Sequence, residues 1–452
     1  MGFLQRNDRL TAWHPVRATL GLVAVLGFLA PAPAEASIKI VEATSPGGVT
    51  FWHAEERTIP MVALEMRFDG GAAIDPEGKA GLARLTMDLM DEGAGERDAT
   101  AFAAEVDALS MRLGFGAQRD AVSVSARFLL ETLEPAAALM AEAIAEPRFD
   151  ADAIERVRGR ALSGIRSGQT NPGTLARDTW YATAFAGHPY ARPVAGTEES
   201  VGSLTREDFV AQRARLMARD KAVIGVIGAI DAEEAGRLVD QLLAGLPAET
   251  PAEAAMPAAP ETPPPPGLQV VDLDVPQSTA IFGQPGYPRE HPDYIPAFIM
   301  NYVLGGGGFA SRLTTEVREK RGLAYSVSAS FGDLAGAPLY LGSVGTENAR
   351  IAESLSVIRA EWTRMAEEGV SAEELEKAKR FLTGAFPLRF DTNAKIARYM
   401  VGAQAAGLGT DYVDIRNGLI EAVTVEDIQR VARDLLQPDA LSIVVVGAPE
   451  GL

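Results

Sequence analysis

Two stretches of this chain, 219 positions apart, carry one pattern at one spacing. In the first, Ser203-Leu204-Thr205-Arg206-Glu207-Asp208-Phe209 leads to Val226-Ile227-Gly228-Ala229. In the second, Ala422-Val423-Thr424-Val425-Glu426-Asp427-Ile428 leads to Val445-Val446-Gly447-Ala448. In both, a threonine able to cap a helix stands 23 residues before a glycine able to end a strand, with no gap in the offset. Elsewhere the repeat is blurred, but the order of elements recurs: strand, glycine-bearing loop, apolar helix, hairpin, two helices, late helix, final strand. Hairpins combined with long helices point to α+β layers. The expected fold is two homologous domains, each an antiparallel sheet covered by helices. The seam between them is marked by composition, because Pro247 to Pro266 is dense in proline, alanine, glutamate and threonine. Such a segment reads as an extended, semi-rigid linker. The domains are therefore drawn at 37–246 and 268–452, with 247–267 as linker.

The first 36 residues read as a leader. Arg6, Arg9 and Arg17 precede an apolar run from Ala18 to Ala30, and Ala34-Glu35-Ala36 offers a cleavage site before Ser37. A secreted chain in the periplasm follows as an expectation. No later segment holds 18 consecutive apolar residues, so no membrane span is expected in the mature chain. A net charge of −19 argues against binding nucleic acid, whose recognition needs a basic face. The absence of cysteine removes disulfides, thiolate catalysis and cysteine-based zinc sites. The four histidines, His14, His53, His188 and His291, are scattered, with no two at the i, i+3 or i, i+4 spacing that seeds a zinc site. No metal or other cofactor is therefore expected in this chain.

The glycine run Gly305, Gly306, Gly307 and Gly308 follows an apolar helix and precedes Phe309-Ala310-Ser311-Arg312-Leu313. It lacks the lysine of a phosphate loop and the preceding strand of a dinucleotide fold. Arg318 falls near the end of the next short helix, which Gly322 should stop. Tyr325 then opens an alternating stretch with Val327, Ala329 and Phe331, the pattern of a strand. An arginine and a tyrosine so placed can point into one cleft and donate hydrogen bonds to a peptide carbonyl or an oxyanion. A surface arginine beside a packed tyrosine satisfies the same spacing. The acidic cluster Asp88, Asp91 and Glu92 reads first as a solvated helix end, and no nucleophile elbow occurs.

These motifs together resemble the pitrilysin-like zinc peptidases of the M16 family, and among them the smaller bacterial members. The resemblance spans the mature chain. It rests on Leu304 to Tyr325, with Ser311-Arg312-Leu313 and Arg318-Glu319-Lys320-Arg321-Gly322-Leu323-Ala324-Tyr325. His188-Pro189-Tyr190 with Gly196-Thr197, and the closing Val445-Val446-Gly447, add to it. The family's inverted zinc motif, two histidines and a water-activating glutamate on the first apolar helix, falls here on Arg84, Met87 and Asp88. Its third ligand falls on Gly164. The ligands and the base are thus replaced. The family's arginine and tyrosine, which face the zinc across a cavity, are present as Arg318 and Tyr325. Some bacterial members divide these parts between two chains. The resemblance therefore implies a zinc-lacking subunit of a heterodimeric peptidase. Zinc would be held by an M16 partner subunit, Arg318 and Tyr325 would be supplied in trans, and Gly305 to Gly308 would line the path of an unfolded or extended peptide. The alternative is a catalytically inactive peptide-binding or assembly protein of the same fold. A solitary enzyme using Asp88 or Glu92 stands third.

Overall fold

The glycines that close the repeat explain why it repeats. Gly228 and Gly447 hold φ of 155° and 148°, which side chains rarely tolerate. A Cβ on Gly228 would meet the Met61 carbonyl oxygen at 2.3 Å, and one on Gly447 the Ser278 hydroxyl at 2.5 Å. Each glycine lets the last strand of its half press its end against the start of a neighbouring strand. The threonines at the other end of the motif form full capping boxes, Thr205 with Asp208 and Thr424 with Asp427.

The computed structural model of the chain describes residues 38–332 and 334–452, so the leader read at 1–36 lies outside the described residues. The first half contains β1 (Ile40–Thr44), β2 (Thr50–Glu55), β3 (Met61–Asp69), the short pair β4 (Gly93–Ala94) and β5 (Arg97–Asp98), β6 (Arg112–Ala117), β7 (Ala121–Leu129) and β8 (Ala222–Gly228). The second contains β9 (Gly267–Asp272), β10 (Gln277–Pro285), β11 (Ala324–Gly332), β12 (Leu339–Glu347) and β13 (Ser442–Gly447). The main sheets run β1-β2-β8-β3-β7-β6 and β11-β12-β10-β13-β9. Read in the matching direction, the second is the first without β1. The expectation of antiparallel sheets needs correcting, because each sheet is mixed. β2 lies parallel to β8, and β9 parallel to β13. Hairpin patterns specify pairings between strands close in sequence. The parallel pair joins the opening and closing strands of a half, and no local pattern encodes that choice.

The helices of the first half are α1 (Leu82–Asp88), α2 (Ala99–Ala108), α3 (Leu133–Ala145), α4 (Ala151–Gln169), α5 (Pro172–Ala184), α6 (Glu198–Gly202), α7 (Arg206–Leu216) and α8 (Ala232–Leu243). Those of the second are α9 (Tyr294–Asn301), α10 (Ile351–Glu368), α11 (Ala372–Gly384), α12 (Asn393–Ala405), α13 (Tyr412–Ala422) and α14 (Val425–Leu435). Each half keeps its own apolar core, but one helix from each crosses to the other's sheet. α5 packs on β10 and β13, where the buried Trp180 donates its indole N–H to the Ser442 carbonyl at 3.0 Å. α12 packs on β3 and β8, where Gln404 donates to the Ile224 carbonyl at 2.9 Å. Glycines make both contacts possible. A Cβ on Gly283 would strike the Trp180 ring at 2.8 Å, and one on Gly225 the Ala397 carbonyl oxygen at 2.9 Å. Glu65 of β3 is buried on the path of α12, with Arg398 as its nearby charge, and burial pushes its carboxyl up to about 7.

The proline-rich stretch is not a free spacer. Thr250 binds Asp220 through its N–H at 3.0 Å and its hydroxyl at 2.8 Å. Lys221 donates to the Ala254 carbonyl at 3.0 Å, and Ala254 is fully buried. Among the described residues no helix is long and apolar enough to cross a membrane.

Candidate functional site

After α9 the chain does not simply loop. It widens into a π-helical turn over Tyr302–Gly306, passes a short 3-10 turn at Gly308–Ala310, and enters a second π-helical turn over Thr314–Glu319. Such widened turns are rare in regular helices and concentrate at functional sites. The four glycines have separate reasons to be glycine. Gly305 is buried, and its Cβ would meet Ala329 of β11 at 2.8 Å. Positions 306 and 307 are crowded by the Asn301 amide and the Tyr302 carbonyl oxygen, each at 2.5 Å. Gly308 has a φ of 57° and open space around it. Close packing thus accounts for Gly305 to Gly307, and Gly308 turns the chain out to Phe309, which is 70% exposed.

The second turn ends as its sequence requires. Gly322, at a φ of 61°, donates to the Arg318 carbonyl at 2.9 Å, and Leu323 donates to the Val317 carbonyl at 2.8 Å. β11 then begins with a bulge. Ala324 pairs with Thr346 and Ser326 with Gly345, leaving Tyr325 as the extra residue between them. The bulge takes Tyr325 off the face that Val327 and Ala329 bury, and it stands 82% exposed. The alternation that placed Tyr325 with Val327 is broken by this single residue.

Arg318 lies close to two exposed rings. Its guanidinium carbon is 4.8 Å from the centre of Phe309 and 5.2 Å from that of Tyr325. Nearby charges are already matched. Glu316 takes Lys320 at 2.7 Å and Arg321 at 2.6 Å, and Arg312 holds Glu374 at 2.7 Å. Among the described residues Arg318 has no carboxylate partner and the Tyr325 hydroxyl has no hydrogen-bond partner. A guanidinium and a phenol with free donors, carried side by side on an exposed surface, suit a carbonyl oxygen or an oxyanion.

The first-half positions also meet in one place. Asp75 holds the start of α1 by accepting the N–H groups of Gly81 at 3.0 Å and Ala83 at 2.8 Å, with the Gln212 amide at 3.1 Å. Burial nevertheless pushes its carboxyl up to about 7. Arg84, Met87 and Asp88 on α1 and Gly164 on α4 all line a cavity of about 630 Å³. Arg84 is spent on Asp88, with Nε to carboxylate distances of 3.0 and 2.9 Å. Met87 is fully buried, and Gly164 offers no side chain. Glu92, on the same cavity, is clamped by Arg156 at 2.6 Å and Arg160 at 2.8 Å. Burial raises its carboxyl, but those two arginines outweigh burial and hold it below the ordinary value. Asp91 is pushed up by burial, with Glu92 and Asp88 adding to the effect. A cation, a thioether and a missing side chain do not fit a zinc ion. No group of three metal-ligating side chains able to hold a metal is found among the described residues. The three described histidines make packing and hydrogen-bond contacts. His53 is buried against the Ile230 carbonyl, His188 joins the Ala258 carbonyl to the Tyr190 N–H, and His291 stacks on Tyr287.

Phe309 escaped the reading of the sequence. An aromatic directly after a glycine run, on a turn with no strand or helix to bury it, was the available signal.

Two family models match. "Insulinase (Peptidase family M16)" covers residues 52–198, and "Peptidase M16 inactive domain" covers 203–382, which includes Arg318 and Tyr325. A Helicobacter pylori protein named "Non-peptidase homolog YmxG" is 27% identical over 341 residues, 75% of this chain and 78% of that protein. A Schizosaccharomyces pombe protein named "Probable mitochondrial-processing peptidase subunit beta" is 27% identical over 404 residues, 85% of this chain and 86% of its own length. A crystal structure of a peptidase M16 inactive domain from Pseudomonas fluorescens superposes with a TM-score of 0.84 at 28% identity, covering 91% of this chain and 98% of the other.

Proposed function

Because the chain belongs to the M16 peptidase family but carries other residues where that family binds zinc, we propose that it is the zinc-lacking subunit of a heterodimeric peptidase. The observation that carries this reading is the contrast between two sites. Arg318 and Tyr325 adjoin with no hydrogen-bond or ion-pair partner for their donors among the described residues, while Arg84 and Asp88 at the metal positions neutralise each other. In the proposed complex a partner M16 chain holds the zinc and the glutamate that activates water. This chain supplies binding and electrostatic stabilisation. Arg318 donates to a backbone carbonyl of an extended peptide and orients it. The Tyr325 hydroxyl donates to the carbonyl oxygen as negative charge grows on it. The Phe309 and Tyr325 rings, both within cation–π distance of the guanidinium, restrict it and limit the rotamer freedom lost on binding. The leader-like first 36 residues support a periplasmic location.

The test is reconstitution. The purified chain alone should cleave no unfolded peptide. Mixed with a motif-bearing M16 subunit from the same cell, it should restore cleavage. Tyr325→Phe should lower the rate of the mixture by about 10²-fold, the scale of one lost oxyanion donor. An unchanged rate would remove the assigned role. The second reading, a peptide-binding or assembly protein, draws on the "Non-peptidase homolog" name of the Helicobacter relative. It expects no motif-bearing partner and indifference to loss of Arg318 and Tyr325.

A further inference from the structure

Among α9, α12, α13 and the 3-10 turn at Pro387–Phe390 lies a cavity of about 270 Å³ that none of the preceding chemistry uses. Three arginines line it, Arg289, Arg389 and Arg416, and among the described residues no aspartate or glutamate does. In a chain of net charge −19, that concentration of unmatched cations stands out. None of the three enters an ion pair among the described residues.

Arg416 is only 6% exposed. It donates to the Leu382 carbonyl at 3.1 Å and the Asn417 side chain at 3.2 Å, and its guanidinium carbon sits 4.2 Å from the Phe386 ring centre. Neutral partners leave its charge uncompensated. Burial lowers its pKa, and Arg389 and Arg289 push the same way by like-charge repulsion. Arg289 donates to the Tyr412 hydroxyl at 2.6 Å and lies 4.3 Å from the Tyr294 ring centre. The Tyr399 hydroxyl is buried in the wall with no hydrogen-bond partner among the described residues. Asp414, whose charge bears on Tyr399, is outside the wall.

Cations gathered in a partly dehydrated space repel one another, and a buried hydroxyl without a partner carries a desolvation cost. A single bound oxyanion relieves both. It accepts from the guanidinium groups by charge-assisted hydrogen bonds and accepts the phenolic proton in a hydrogen bond. The remaining wall is apolar, with Phe298 and Phe386 among it. We propose that this cavity binds a small organic anion, a carboxylate or phosphate carried on a single-ring apolar body. The volume falls just below the usual range for small-molecule pockets, which limits the ligand to that size.

Calorimetric titration of the purified full chain tests this with phenyl phosphate, benzoate, inorganic phosphate and the neutral benzyl alcohol. Phenyl phosphate or benzoate should bind saturably at one site and more weakly as salt rises. Benzyl alcohol should not bind measurably, and inorganic phosphate should bind at least tenfold more weakly than phenyl phosphate. Arg389→Gln, at an exposed position, should weaken binding roughly tenfold, and Tyr399→Phe by a smaller factor of about three. Either organic anion binding alone would distinguish phosphate from carboxylate recognition within the proposal. No saturable binding by either, or binding unmoved by both substitutions in folded protein, would overturn it. Equal binding of inorganic and phenyl phosphate would overturn the apolar body.

Discussion

Around α1 in the first half, Arg84 is held by Asp88, and Glu92 by Arg156 and Arg160. Around the π-helical turns of the second half, Arg318 has two aromatic rings for neighbours and no carboxylate partner among the described residues, while Glu316 binds Lys320 and Arg321. The frames beneath are alike: matching strand order, a capped late helix and a closing strand that ends on a crowded glycine. The difference is therefore not one of fold. Charges that satisfy one another close a site to outside ligands, and donors left over keep one open. The same frame hosts both outcomes, and function has to be argued from the leftover donors.

Substitutions in each half should separate the shared frame from the sites it carries, and the frame itself should give the strongest response. Trp180→Ala removes the ring that α5 inserts into the second sheet and should destabilise the chain by about 3–5 kcal/mol in urea denaturation. Met400→Ala, at the reciprocal contact of α12 on β8, should cost about 2–4 kcal/mol. A Trp180 effect below that of Met400 would show that the two crossings are not equivalent supports. Next, Arg318→Ala should lower the activity of the reconstituted mixture by about 10²-fold, near 2.7 kcal/mol, with no change in melting temperature. Loss of melting temperature instead would make Arg318 a structural residue.

A third test uses pH. Glu65 has its carboxyl raised to about 7, so the folded state keeps its proton where the unfolded chain has lost it. Its contribution to stability is complete below the ordinary glutamate value of 4.5 and is lost as pH rises through about 7. Glu65→Gln should therefore be more stable than the parent by about 1–2 kcal/mol at pH 8, discounted because Glu65 borders a cavity. The two should melt alike at pH 4. Equal difference at both pH values would show that Glu65 does not titrate between them. The smallest effect closes the comparison. Arg84→Ala breaks a half-exposed ion pair and should change stability by less than about 0.5 kcal/mol, leaving reconstituted activity within twofold.

Much of the frame was legible because its signals are local. Thr205, Thr424, Gly228 and Gly447 announce caps and strand ends through short-range geometry, and the hairpin of β6 and β7 follows from alternation around a tight turn. Three features lay beyond that reach. The parallel partner of β2 is β8, far along the chain. The crossing of α5 and α12 depends on which sheet face is left uncovered, and amphipathic spacing names a buried stripe without naming what buries it. Tyr325 was singled out, but a one-residue bulge turned it from the packed row to the surface, because side-chain direction has a period of two and a single insertion reverses it. Arg84, Met87, Asp88 and Gly164 line one cavity although Gly164 lies on a different helix, a proximity that spacing along the chain does not encode.

The crossing helices also decide what this molecule can do mechanically. With α5 packed on the second sheet, α12 on the first, and the proline strap hydrogen-bonded to the first half, the two halves are joined at several separate places. Each half thereby lends a helix to the other's sheet, so a load on either sheet is shared by both.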